Sequence, residues 1–153
     1  MGMYSTGGRD AGSVATGDPQ SHLWNPHSTK RLWVRAFSLV CTGTGVENVG
    51  FCRTTARGTA ITTVTPDIDN AWERDEPPSS GVVLDLNWSV IPTIDTSRFW
   101  RLSWGTSTAA GTSTIEEVFN YPGIEVSPGS GLQLVSESGG ISASDQTFTW
   151  FEE

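Results

Sequence analysis

Only two residues in this chain, His22 and His27, could serve as imidazole bases. Both stand near the N-terminus, beside Trp24 and Pro26, and no nucleophile motif accompanies either. The Gly-x-Ser-x-Gly pattern that lifts a serine on a sharp turn is absent. Gly129-Ser130-Gly131 is too short for it and reads as an ordinary turn. Paired carboxylates can hydrolyse a glycosidic bond, and Asp85, Glu116, Glu117 and Glu125 fall on or near expected strands. Wet strand faces account for such carboxylates more simply. No glycine-rich loop ends in the lysine that a phosphate cradle requires. The expectation is a protein that is not an enzyme, with no catalytic residues and no cofactor.

Metal chemistry has little more to draw on. Residues 66–80 carry Asp67, Asp69, Glu73, Asp75 and Glu76, an oxygen density that could attract Ca²⁺. The spacing does not match an EF-hand, which needs a glycine at its sixth position. A solvated acidic loop is expected, with no metal. The chain has two cysteines, Cys41 and Cys52, and no zinc-type spacing. Folding the chain back about Val46 and Glu47 sets Cys41 opposite Cys52. Reduced thiols are expected for a protein made in a cytoplasm, with a cross-strand disulfide as the alternative.

Composition narrows the partner classes. The 153 residues suffice for one domain with a sizeable core. The formal net charge is −8, which argues against nucleic acid, because phosphate contact needs clustered Lys or Arg. No apolar run approaches the roughly 20 residues of a membrane helix, so no membrane partner is expected. The opening Met1-Gly2-Met3-Tyr4-Ser5 lacks the basic and apolar regions of a secretory signal, which implies synthesis in a cytoplasm.

The elements that must position these residues read as strands. Residues 1–24 are Gly-, Ser- and Thr-rich, with Tyr4, Val14, Leu23 and Trp24 as the main apolar side chains, and are expected to form an extended arm against a neighbour. Residues 25–153 form the domain. The first long strand, residues 31–40, has Leu32, Val34, Ala36 and Val40 on one face and Trp33, Phe37 and Leu39 on the other. A strand with one wet face has polar residues there, so something must cover the second face. Residues 43–50 read as a turn, with return strands at 51–55 and 59–65. The cleanest alternation, Val82, Leu84, Leu86, Trp88 and Val90, follows the acidic loop. Strands at 99–104 and 113–120 flank a Gly/Ser/Thr loop at 105–111. Ile124–Val126 and Leu132–Leu134 form a hairpin about Ser127-Pro128-Gly129-Ser130-Gly131. A strand at 146–151 closes the chain, with Phe148 and Trp150 inward and Thr147 and Thr149 outward.

These eight or nine strands without a helix predict an all-β fold: a two-sheet antiparallel β-sandwich, jelly-roll-like, with an extended N-terminal arm. Seven tryptophans is a high count for this length. Trp88, Trp100, Trp104 and Trp150 fall in inward phase and belong to the core. Trp24, Trp33 and Trp72 are left for contacts. The interface candidates are therefore Tyr4, Val14, Leu23, Trp24, Trp33, Phe37, Leu39 and Trp72. A carbohydrate platform is the second use of such aromatics, weighed behind protein contact.

In style and order of motifs the chain resembles the small jelly-roll decoration or cement proteins of tailed bacteriophages. The resemblance is carried by Leu23-Trp24-Asn25-Pro26, Arg53-Thr54-Thr55 with Gly58-Thr59, the segment Pro122-Gly123-Ile124 through Pro128-Gly129-Ser130-Gly131-Leu132, and Phe148-Thr149-Trp150. It spans residues 22–151. It implies a virion structural protein on the capsid exterior, made in the host cytoplasm, with itself as a homotrimer and the major capsid protein as partners. A tail or fibre component binding host glycan, and a cellular lectin-like β-sandwich, are the alternatives.

Overall fold

The computed structural model describes residues 2–10, 15–72, 78, 81–138 and 143–153. Among the described residues there are nine strands: β1 (Met3–Asp10), β2 (Pro19–Asn25), β3 (Leu32–Thr54), β4 (Thr59–Val64), β5 (Val83–Val90), β6 (Trp100–Val118), β7 (Ile124–Val126), β8 (Ser130–Ser138) and β9 (Ser144–Glu152). A single 3-10 turn, Ile68–Asn70, is the only helical piece among the described residues. The expected all-β sandwich is present: two layers of mostly antiparallel strands with an N-terminal strand at one edge.

The 23-residue β3 joins the layers. Its first half pairs with β9 (Phe37 opposite Phe148, Leu39 opposite Gln146), and its second half pairs with β8 (Phe51 opposite Leu134, Cys52 opposite Gln133). Along its other edge it pairs with β6 through most of its length, and with β7 at Leu32–Val34. Hydrogen bonding thus continues through β1-β9-β3-β8-β2-β5-β4 while the chain folds into two layers. The first layer is β1, β9 and the start of β3; the second is the end of β3, β8, β2, β5 and β4. Their apolar faces meet. The rings of Phe37 and Phe148 lie 5.0 Å apart, and that of Phe51 lies 5.1 Å from Phe37. Burying such side chains removes the largest blocks of apolar surface the chain owns, and each is worth about 1.5–3 kcal/mol.

Several expectations change. Residues 43–50 are not a turn, and Cys41 and Cys52 are not opposite one another; both lie buried on the continuous β3, with no disulfide. The signals read as a turn mark an irregularity in pairing instead: Gly43 faces Gly111, but Gly45 faces Thr106. Glycine inside a strand often marks such a bulge. The loop at 105–111 is likewise strand backbone within β6. The hairpin about Pro128 is not one: β7 pairs with the start of β3 and β8 with its end, so the Ser127–Ser130 turn carries the chain between layers.

The two apolar faces of the first long strand have the same kind of cause. Register against β9 slips between Val34 and Ala36, so the extra residue reverses the alternation. Leu32 and Val34 before the slip, and Phe37, Leu39 and Cys41 after it, all reach the core. Phe37 and Leu39 are therefore corrected from interface to core.

The N-terminal segment is extended, but within its own sandwich. All eight residues of β1 pair with β9, and β2 is a central strand between β8 and β5. The boundary placed after residue 24 falls inside β2. The Tyr4 ring lies tilted against Trp150 (5.9 Å, 36°) and Leu23 lies between Leu132 and Leu84, so both are core rather than contact residues. Hydrogen-bonded pairing with β9 offsets the ordering entropy for which a neighbour was expected.

Of the residues expected in inward phase, Val82, Leu84, Leu86, Leu132, Leu134, Phe148 and Trp150 are buried, and Trp88 and Trp100 partly so; the Trp104 side chain lies outside the described residues. Val90 is exposed. Asn87 has φ of 63°, which interrupts the strand alternation before Trp88 and Val90.

Candidate interaction surface

On the outer face of the first layer three aromatic rings form a ladder, in which Tyr121 is exposed, Trp33 partly buried, and Phe151 between them buried. Trp33 stacks on Phe151 (6.4 Å, 23°), and Phe151 stacks on Tyr121 (6.5 Å, 9°). The Arg35 guanidinium lies 5.5 Å from the Tyr121 ring centroid, a cation–π contact. Tyr121 is 79% exposed. Met3, Arg35, Tyr121 and Phe151 line a hollow of about 260 Å³.

Local sequence explains each position. Trp33 precedes the slip in β3 and so points away from Leu32 and Val34. Phe151 follows the inward Trp150 and takes the opposite face. Tyr121 sits in the turn between β6 and β7, before the cis bond to Pro122. Gly123 there has φ of 112°, and a Cβ would fall 2.4 Å from the Val34 carbonyl oxygen, so only glycine lets this turn lie against β3. The ladder is held at its end by polar contacts: the Trp33 Nε1–H donates to Glu153 Oε2 (2.9 Å), and Arg31 pairs with Glu125 (3.1 Å).

Trp72, expected as a contact residue, is 66% exposed. Its backbone N–H donates to the Met3 carbonyl (2.8 Å), which ties the start of the acidic loop to the margin of this face. Asn70 Nδ2 also donates to the Ser5 carbonyl (2.9 Å). Val14 and residues 73–77 of the acidic loop lie outside the described residues. Among the described residues no cluster of His, Cys, Asp or Glu could hold a metal. Among the described residues no helix is long and apolar enough to cross a membrane.

Sequence reasoning found Trp33 and missed Tyr121, Phe151 and Arg35. Phe151 was legible from the alternation that set Trp150 inward. Tyr121 was not, because a turn residue has no phase.

The opposite layer presents its outward residues differently. Cys52, Gln133, His22, Asp85 and Thr63 form one row across β3, β8, β2, β5 and β4 by register, opposite in phase to the leucines of the core. The first four are fully buried. Arg57 closes over Asp85 with two hydrogen bonds (Nε to Oδ2, 2.7 Å; Nη2 to Oδ1, 2.9 Å), and the Thr63 hydroxyl lies 2.7 Å from Oδ1. The His22 ring packs edge-on against Trp24 (5.4 Å), the remaining contact candidate, which is partly buried on this face. A Cβ at Gly131 would fall 1.7 Å from His22 Nε2, so the imidazole occupies the space a side chain there would need.

Burial lowers the His22 pKa to about 4; Asp85 pulls it up and Arg57 pushes it down. Burial also raises the Cys52 thiol, whose Sγ lies 3.5 Å from Gln133 Oε1. At neutral pH the row therefore holds a neutral imidazole, a protonated thiol and a carboxylate engaged by Arg57, all closed to solvent. A general base works best with a pKa near the working pH and a nucleophilic thiol with a lowered one, and both need access to substrate.

No family of known proteins, no curated protein and no solved structure matches this chain.

Proposed function

We propose that the chain is a non-enzymatic virion structural protein of a tailed bacteriophage, a capsid decoration or cement protein that sits as a homotrimer on the major capsid protein. The observation that carries the reading is the Tyr121–Phe151–Trp33 ladder with Arg35 beside it. Aromatic rings and arginine are the residues that dominate protein-contact energies. Here Trp33, Arg35 and Phe151 lie on hydrogen-bonded strands and Tyr121 sits in a turn laid against β3, so little ordering cost is left for association. The order of motifs from Leu23 to Trp150 supplies the phage capsid as the setting. The ladder makes the contact between copies. The three-fold multiplies each copy's weak hold on the shell, since linked contacts bind far more strongly than single ones.

Sedimentation of the free protein and its retention on capsids test this together. The wild-type chain sediments as a trimer at micromolar concentration and stays on particles; Tyr121→Ala shifts it toward monomer and lowers retention. A stable wild-type monomer overturns the trimer, and a trimer with no affinity for any capsid overturns the setting.

A further inference from the structure

A second concave feature lies away from the ladder, where the end of β3, the loop after β5 and the turn between β7 and β8 meet. It has a volume of about 470 Å³ and is lined by Arg53, Thr54, Thr55, Thr93, Asp95 and the Ser127–Ser130 turn. That is within the range of about 300–1,000 Å³ typical of small-ligand sites. We propose that this cleft binds a neutral saccharide, with Arg53 and Asp95 gripping neighbouring hydroxyls.

The lining chemistry selects the class. Arg53 only donates hydrogen bonds and ionised Asp95 only accepts them, while threonine and serine hydroxyls do both. A phosphate or carboxylate would meet the Asp95 charge, in a chain whose net charge is already −8. An ammonium group would meet Arg53. A ligand whose adjacent groups each donate and accept, without charge, satisfies both walls, and a sugar carries such groups around its ring. The threonine methyls and the Pro128 ring offer apolar surface to its C–H faces.

The walls are held before any ligand arrives. The Arg53 guanidinium lies 4.6 Å from the Phe99 ring centroid, and Phe99 stacks in turn on the buried Phe51 (6.4 Å, 17°). Asp95 is fixed by the Ser97 N–H, which donates to Oδ1 (2.8 Å), and by Arg98, which bonds its carbonyl. The Thr54 hydroxyl is engaged by Ala56 (3.0 Å to its carbonyl), and the Ser130 hydroxyl donates to the Ser127 carbonyl (2.6 Å), which closes the turn. A site held this way loses little freedom on binding.

The test is amide chemical-shift titration of the full chain with maltose, lactose and chitobiose, and with glucuronate and inorganic phosphate as charged probes. At least one neutral sugar should shift the amides of Thr55, Thr93, Asp95 and Gly129 in a saturable way, with an affinity in the millimolar range. Asp95→Asn and Arg53→Ala should each weaken binding about tenfold. Tyr121→Ala should leave it unchanged, which separates the cleft from a sugar platform on the ladder. Thr93→Val serves as a third variant should Arg53→Ala disturb the Phe99 stack, as its melting temperature would reveal. No saturable shift with any neutral sugar overturns the proposal. So does tighter binding of phosphate than of sugar, or sugar binding that the cleft variants leave intact.

Discussion

The two layers of this sandwich treat their outward residues in opposite ways. On the second layer the row from Cys52 to Asp85 is polar and sealed; on the first, the row is aromatic and runs from the exposed Tyr121 over the buried Phe151 to the partly buried Trp33. Hydropathy alone would seal the aromatics and wet the carboxylate. The difference lies in what crosses each face. Arg57 follows β3 directly and can close on Asp85, and the segment leading into β6 brings Asp95 and Arg98 near Cys52. Nothing described in the chain crosses the ladder from above. The charge in this buried row is partnered, with three hydrogen bonds to Asp85 from Arg57 and Thr63, whereas the His22 ring nitrogens and Gln133 Nε2 make none. An exposed ring such as Tyr121 is tolerable when another surface completes it.

Removing the carboxylate should break the sealed face most strongly. Asp85→Ala leaves Arg57 and Thr63 without their acceptor and opens a gap beside His22. Loss of one partner from a buried ion pair costs about 3–5 kcal/mol. Because Arg57 is 39% exposed and can turn to water, the expected loss is nearer the bottom of that range, about 3 kcal/mol. Urea unfolding would measure it, and a loss below about 1 kcal/mol would mean that the pair contributes little to holding the face closed.

Acid should separate the layers next. The folded chain holds His22 neutral with a pKa of about 4, whereas the unfolded chain takes up the proton near 6.5. Below 6.5 the unfolded state binds more protons, so stability falls as pH drops toward 4 and this contribution levels off below it. The amount is on the order of 3 kcal/mol, at about 1.4 kcal/mol for each pH unit between the two values. His22→Gln, which removes the titration, should flatten the melting profile over this window relative to wild type. An unchanged slope would show that other groups set the acid response.

The open face should respond least in the isolated chain. Tyr121→Ala should change stability by no more than about 0.5 kcal/mol, since an exposed turn residue takes part in little core packing. Its effect should appear in association alone. A large loss of melting temperature at concentrations where the chain is monomeric would instead make the ladder part of the fold's own packing.

Much of this was legible from the residues. Alternation of period two placed Leu84, Leu86, Leu132, Leu134, Phe148 and Trp150 in the core, because side-chain direction along a strand is a local property. The scarcity of helix periodicity gave the all-β class, and the same alternation set Trp33 on the outer face, where it is partly buried. The failures share one cause. The slip after Val34, the irregular pairing near Gly43 and the left-handed Asn87 each reverse or break the alternation, and each is set by the partner strand rather than by the strand's own sequence. Thr42-Gly43-Thr44-Gly45 has the composition of a turn, yet hydrogen bonds from β6 hold it extended.

What the sequence alone determined is the list of inward residues within each uninterrupted strand and the absence of long helices. The tertiary structure decided which strands meet, and so which faces are closed. His22 is two residues from a tryptophan in sequence, but only pairing of β2 between β8 and β5 sets it beside Gln133 and Asp85 and lowers its pKa. Phe151 and Tyr121 are thirty residues apart and become one surface only because β7 and β9 flank the start of the same β3. Phase along a strand is fixed by bonded neighbours, whereas burial of a face depends on chain segments far away in sequence.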